Sequence, residues 1–172
     1  MAPYLKYAGN DPRAGVKDNL KTDQSKLTYS FDYKGTHFVV LNTDPAGWDW
    51  SVLKTWVAED LAKAKAGFAK HIFAIAHKPA YSYLKNLYSS AETKEDGLDK
   101  LYPEDRDEFW TSLVKNKAEA MLAAHNHGYY RAKVANGNTW QIIAGNGGSN
   151  LNFIRTYARA IGIEGCLSWE RK

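Results

Sequence analysis

Residues 70–77 read Lys-His-Ile-Phe-Ala-Ile-Ala-His (KHIFAIAH), an apolar run that ends in an imidazole. A continuous run of this length is the pattern of a buried strand, and its C-terminal end presents His77. Upstream, between Asp49 and Ala66, Leu53, Trp56, Val57, Leu61 and Ala64 recur at helical spacing, with charge at Lys54, Glu59, Asp60 and Lys63 on the other faces. An amphipathic helix is predicted there, with Gly67 as its stop. Before it, Leu27–Tyr33 (LTYSFDY) alternates, Lys34-Gly35 marks a turn, and His37–Asn42 (HFVVLN) is a second continuous apolar run. These form a hairpin whose second strand is central. Strand, helix and strand in that order predict a β-α-β crossover.

Downstream, Pro79–Asp99 has no clear period and reads as a long loop, and Pro103 opens a helix carrying Phe109, Trp110 and Leu113 to about Asn116. Ala118–Ala124 (AEAMLAA) fits either a continuation of that helix or a buried strand, and the histidines that follow favour the strand. Tyr129–Val134 and Thr139–Ala144 flank Ala135-Asn136-Gly137-Asn138, a hairpin signature, because Asn-Gly accepts the positive φ of a tight turn. The run Gly145–Asn150 has neither a Walker lysine nor dinucleotide spacing, and ordinary loop is its stronger reading. At the other end, Tyr4–Ala8 reads as a strand that leaves through Gly9-Asn10-Asp11-Pro12, which places Asn10 and Asp11 on a loop.

The chain has 172 residues, the size of one domain, and we read residues 1–172 as such. Its 44% hydrophobic and 24% charged composition is that of a globular protein rather than a disordered or membrane one. A formal charge of +4 favours small anionic partners, yet the lysines are scattered, which argues against a nucleic-acid footprint. The single cysteine, Cys166, excludes an intrachain disulfide framework. With no apolar leader and no run of membrane-span length, the sequence as given reads as cytoplasmic and without a membrane partner.

The chemistry concentrates in Ala123-Ala124-His125-Asn126-His127 together with His77. Two imidazoles at i and i+2 after one strand and a third after another are the start of a divalent-metal site. The contiguous His-Asn-His letters are not the dispersed residues of the nuclease fold of that name. His37 and His71 lie within strand patterns and read as structural, while Tyr81, Tyr83, Tyr129 and Tyr130 are pocket candidates whose commoner fate is packing.

Gly9-Asn10-Asp11, LTYSFDYKGTHFVVLNTD, EDLAKAKA, HIFAIAHKPAYSY, AAHNHGYYR and TWQIIAGNGGSN occur in one order over roughly residues 4–150. Together they resemble the C-terminal part of a calcineurin-like metallophosphoesterase of the purple-acid-phosphatase-like branch. The resemblance implies an α/β (α+β) fold: a partial β-sandwich flanked by helices, lacking its N-terminal strands. It implies a metal set in which Asn10, His77 and His125 hold one ion and His127 belongs to a second. It also implies a divalent cofactor, Mn, Zn, Fe or Ca.

The departures are as informative. The family's two aspartate motifs, one of which supplies the bridging carboxylate, lie upstream of the asparagine motif, and this chain begins nine residues before Asn10. The acid histidine expected after Asn10 is replaced by Asp11 or deleted, and Ala124 stands where the last motif has glycine. Asp11 is either a substitute proton shuttle or a loop residue that starts a turn. A two-metal clamp needs more than one histidine on its second ion. The expectation is therefore a metal-dependent hydrolase with a degenerate, single-metal site acting on phosphoesters or other esters such as lactones. The alternative is a noncatalytic relic or binding module. A sheet without its neighbours exposes an edge or an apolar face, which predicts a homodimer or strand exchange.

Overall fold

The structure is a computed structural model that describes residues 10–12, 18, 20–43, 51–67, 69–82, 97–98, 102–134 and 137–147. Its elements are β1 (Tyr29–Tyr33), β2 (Thr36–Leu41), α1 (Lys54–Ala66), β3 (His71–Ala76), α2 (Pro103–Lys115), β4 (Ala120–Ala123), β5 (Tyr129–Lys133) and β6 (Trp140–Ala144). They build one six-stranded sheet in the order β1-β2-β3-β4-β6-β5. β2, β3, β4 and β6 run parallel, and the two hairpins add β1 and β5 antiparallel at either edge. The predicted strand at Tyr4–Ala8, the helix start at Asp49, Tyr83 and Cys166 lie outside the described residues.

Both hairpins and the crossover form as the sequence predicts. α1 joins β2 to its parallel neighbour β3, and β2 is an interior strand. α2 begins at Pro103, carries Glu104 and Asp105 in its first turn and Lys115 in its last, an arrangement that complements the helix dipole. Ala118–Ala124 becomes a strand for a tertiary reason. Lys117 turns the chain at φ 57°, and the Glu119 N–H then donates to the Ile72 carbonyl (2.9 Å). β4 thereby takes up the hydrogen bonds that the free edge of β3 offers.

The sheet has two unlike faces. Val39, Leu41, Ile72, Ala74, Ala76 and Met121 pack with Val57 and Leu61 of α1 and with Phe109, Trp110 and Leu113 of α2. On the opposite face the strand register aligns Phe31, Phe38, Phe73, Ala120 and Trp140 in one row and Tyr29, Val40, Ile75, Leu122 and Ile142 in the next. Phe31, Phe38 and Phe73 stack across the strands at centroid distances of 5.1 and 5.9 Å. This face remains partly open: Leu122 is 37% and Trp140 36% exposed. Arg131 and Lys133 lie over the Trp140 ring. The partial sandwich is thus one mixed sheet with helices on one side and an apolar, incompletely covered other side.

One side chain departs from the pattern. Asp60 was expected on the solvent side of α1 but is 4% exposed. It accepts hydrogen bonds from His37 Nε2 (2.9 Å), Ser30 Oγ (2.9 Å) and Asn10 Nδ2 (2.8 Å). His37, structural as expected, also donates from Nδ1 to Asp32 (2.8 Å). With a carboxylate at each ring nitrogen, the doubly protonated ring is the form that satisfies both acceptors. Burial alone would lower the His37 pKa, but the bonds to Asp60 and Asp32 outweigh it and raise the value. Burial would likewise raise the Asp60 pKa, and the bonds from His37, Asn10 and Ser30 outweigh it and lower the value. His71, at the exposed start of β3, pairs with Glu119.

Candidate metal centre

The candidate residues collect where parallel strands end, the position at which open α/β sheets hold ligands. His77 follows the last residue of β3, and the peptide after β4 is tied to it: Ala124 N–H donates to the His77 carbonyl (2.9 Å). His125 then adopts φ 60°, the left-handed region, and this turns its ring back across the strand ends. His125 Nδ1 and His77 Nε2 stand 3.2 Å apart, with the rings edge to face at 5.1 Å. His77 is exposed and His125 half-buried.

That separation suits a shared ion. Two imidazole nitrogens bound to one tetrahedral metal lie about 3.3 Å apart, given metal–nitrogen bonds of roughly 2.0–2.1 Å. The same contact serves as a direct hydrogen bond in which one ring donates and the other accepts. Among the described residues no three His, Cys, Asp or Glu side chains converge as a metal cluster, so the chain brings a pair of ligands together and not a full set. The residues present fit part of a metal site.

The remaining candidates lie elsewhere. His127, half-buried, follows the buried Asn126 and does not complete a cluster with the other two imidazoles. The structure does not bring Asn10 to the histidines. Asn10 pairs with Ser30 on the outer side of β1 and donates its side chain to Asp60. From there to β3 is three strand spacings, roughly 14 Å at about 4.8 Å per strand. Asp11, exposed beside it, shares that displacement. The physical reason is competition: the buried Asp60 carboxylate needs donors, and Asn10 supplies one.

Of the tyrosines, Tyr81 is held on the far side of the loop after His77. Its hydroxyl donates to Asp107 (2.8 Å), its ring packs edge to face on Trp110, and Arg106 lies over it. Burial, and then the Asp107 carboxylate, hold that hydroxyl well above the usual tyrosine range. Tyr130 is buried and Tyr129 half-buried on β5.

Two features were missed in the sequence. A Cβ at Gly145 would stand 2.1 Å from the Asn126 carbonyl oxygen, so the Gly145 backbone abuts the histidine loop. The glycine run was visible but was read as ordinary loop. Gln141, fully buried on β6, receives the Tyr81 N–H (2.9 Å) and donates to the Tyr81 carbonyl (2.7 Å). A polar residue at an inward position of an apolar strand was the available signal.

The mixed sheet, with helices on one face, thus carries two histidines at the ends of adjacent parallel strands. The comparisons specify the relationship. Purple acid phosphatase 23 of Arabidopsis thaliana is 27% identical over 131 residues, which cover 76% of this chain and 26% of that protein. Purple acid phosphatase 13 of the same plant is 31% identical over 97 residues, 56% of this chain and 18% of that protein. The structure of purple acid phosphatase PPD1 from yellow lupin (Lupinus luteus) seeds matches with a TM-score of 0.59 at 19% identity, covering 80% of this chain and 26% of that one. No protein-family model matches. The chain is related to the calcineurin-like metallophosphoesterases through the purple acid phosphatases, and it spans about a quarter or less of the length of the curated relatives it matches.

Proposed function

We propose that the chain carries part of the centre of a metal-dependent, phosphoesterase-type hydrolase, with His77 and His125 as ligands of one divalent ion, Mn, Zn, Fe or Ca. The observation that carries this reading is the 3.2 Å approach of His125 Nδ1 to His77 Nε2 at the ends of two adjacent parallel strands. The relationship to purple acid phosphatases supports it. A divalent ion there would supply Lewis acidity toward a phosphoryl or carbonyl oxygen and lower the pKa of water.

The chain's own contribution is to hold two imidazoles at ligand spacing at the ends of adjacent parallel strands. Its excess positive charge favours a small anionic substrate such as a phosphoester, with a neutral ester such as a lactone as the alternative. His127, two residues after His125 in the chain, is the candidate for a second ion. Asn10 and Asp11 are not part of this set, because they sit across the sheet. The remaining coordination positions fall to water or to residues beyond those described. Among the described residues no helix is long and apolar enough to cross a membrane. The open apolar face supports a further proposal, association with a second copy of the chain.

Calorimetric titration with Mn, Zn, Fe and Ca, with a chromogenic phosphoester and lactone screen, tests the reading. Binding should disappear in His77→Ala and His125→Ala and weaken less in His127→Ala, and any turnover should be abolished by a chelator. Undiminished metal binding in the first two variants overturns the assignment. Absence of both metal and turnover in the wild type makes the chain a noncatalytic relic of the fold.

A further inference from the structure

We propose that Gln141 is a positioning residue for the histidine pair. From the interior strand β6, it clamps the segment after His77 and so holds that imidazole against His125. The proposal rests on the metal reading above for its consequence, though not for its geometry.

His77 follows the last residue of β3, and the five residues after it belong to no strand. Their backbone polar groups must find partners outside a ladder, and the structure supplies these from several directions. Lys78 N–H donates to Thr43 Oγ1 at the end of β2 (2.9 Å), and the Pro79 carbonyl accepts from Leu98 N–H (3.0 Å). Tyr81 is held at both its N–H and its carbonyl by the Gln141 amide (2.9 and 2.7 Å). Ser82 Oγ donates to Asn126 Oδ1 (3.2 Å), which links the segment to the residue between His125 and His127.

Gln141 differs from the other tethers in that its side-chain amide pairs with both polar groups of one residue, as a neighbouring strand would. It is completely buried and projects from β6, an interior strand parallel to β4. A primary amide in that position presents one donor and one acceptor in a fixed plane, so it sets both the position and the orientation of the Tyr81 peptide groups. On the same strand β6 ends at Gly145, whose backbone abuts Asn126. One strand therefore braces both loops that carry the imidazoles. No aliphatic side chain of equal volume could replace it, since the Tyr81 N–H and carbonyl would then be buried without partners.

Gln141→Met keeps volume and removes both bonds, and Ser82→Ala removes the link to Asn126. Two readouts apply to both variants: the ring-nitrogen NMR signals of His77 and His125 in metal-free protein, which report one donor and one acceptor nitrogen in contact, and Co(II) affinity with its visible spectrum. Gln141→Met is expected to unfold cooperatively, to lose the paired ring-nitrogen signature, and to bind Co(II) about tenfold more weakly with an altered spectrum, the lower end of what loss of an outer-shell partner costs. Ser82→Ala should shift both readouts the same way by less. Wild-type ring-nitrogen signals and affinity in Gln141→Met overturn the proposal, and if that variant does not fold, unchanged readouts in Ser82→Ala overturn it. If the wild type binds no Co(II), the metal reading fails, and the ring-nitrogen comparison alone still decides whether Gln141 positions the pair.

Discussion

Gly145→Ala should disable the histidine loop while leaving the sheet intact. The added Cβ would meet the Asn126 oxygen at 2.1 Å and the Asn126 carbonyl carbon at 2.9 Å, whereas real Cβ atoms essentially never approach within 3.0 Å. One of the two backbones must therefore move by close to an ångström. Neither yields easily. The Asn126 carbonyl accepts from Gly128 N–H (2.8 Å), the Asn126 N–H donates to the Ala124 carbonyl (2.6 Å), and Gly145 N–H is tied to the Gly128 carbonyl (3.0 Å). Overpacking of this kind costs about 1–3 kcal/mol. A displacement of this size at a ligand can cost on the order of 100-fold in a function that depends on its position. Urea denaturation and Co(II) titration of Gly145→Ala measure the two effects, with Gly147→Ala as control, since a Cβ there meets nothing within 4 Å. Stability and metal affinity equal to those of Gly147→Ala would refute the claim that this close approach shapes the site.

The buried His37–Asp60 pair should make stability depend on pH at both ends. Folding raises the His37 pKa above 6.5, so that contribution is complete below about 6.5 and fades as pH rises through the raised value; folding lowers the Asp60 pKa below 3.8, so that contribution is complete above about 4 and fades as pH falls through the lowered value. Urea midpoints should peak between these limits, and His37→Gln should flatten the alkaline side; an equal alkaline decline in the variant would remove the pair as its cause. Asp60→Ala should cost about 1–3 kcal/mol, because it leaves the buried His37 Nε2 and Ser30 Oγ without their shared acceptor while Asp32 still holds His37 Nδ1; a loss under 1 kcal/mol in chemical denaturation would show the pair to be idle. Trp140→Lys, on the open face, should shift a wild-type dimer toward monomer in light scattering at micromolar concentration. A wild type already monodisperse as a monomer would dismiss the self-association proposal.

Much of the architecture was legible from run lengths and periods. KHIFAIAH and HFVVLN announce β3 and β2 because unbroken apolar runs need cover on both sides, and the Asn-Gly between Val134 and Thr139 announces the β5–β6 hairpin. Asp60 was misplaced for the opposite reason. A carboxylate on an amphipathic helix faces water by default, and only the partners waiting on β1 and β2, Ser30 and His37, make an inward position tolerable. Gln141 and Gly145 escaped notice because their partners, Tyr81 and Asn126, lie on loops from other parts of the chain. Asn10 was assigned by resemblance, and the structure places it on the opposite side of β1, bonded to Asp60.

The sequence by itself determined that His77 follows a buried strand, since the identity of that strand depends on side chains within a few residues of each other; for the segment before His125 it left helix and strand both open, and pairing with β3 decided for the strand. Only the tertiary structure decided that the two rings meet. Their contact requires β3 and β4 to lie side by side in the parallel register that pairs Ala74 with Met121, and it requires His125 to take a left-handed backbone conformation. Register and left-handed turns are set by long-range pairing and by what the neighbouring loops leave room for, and no local pattern of residues carries that information.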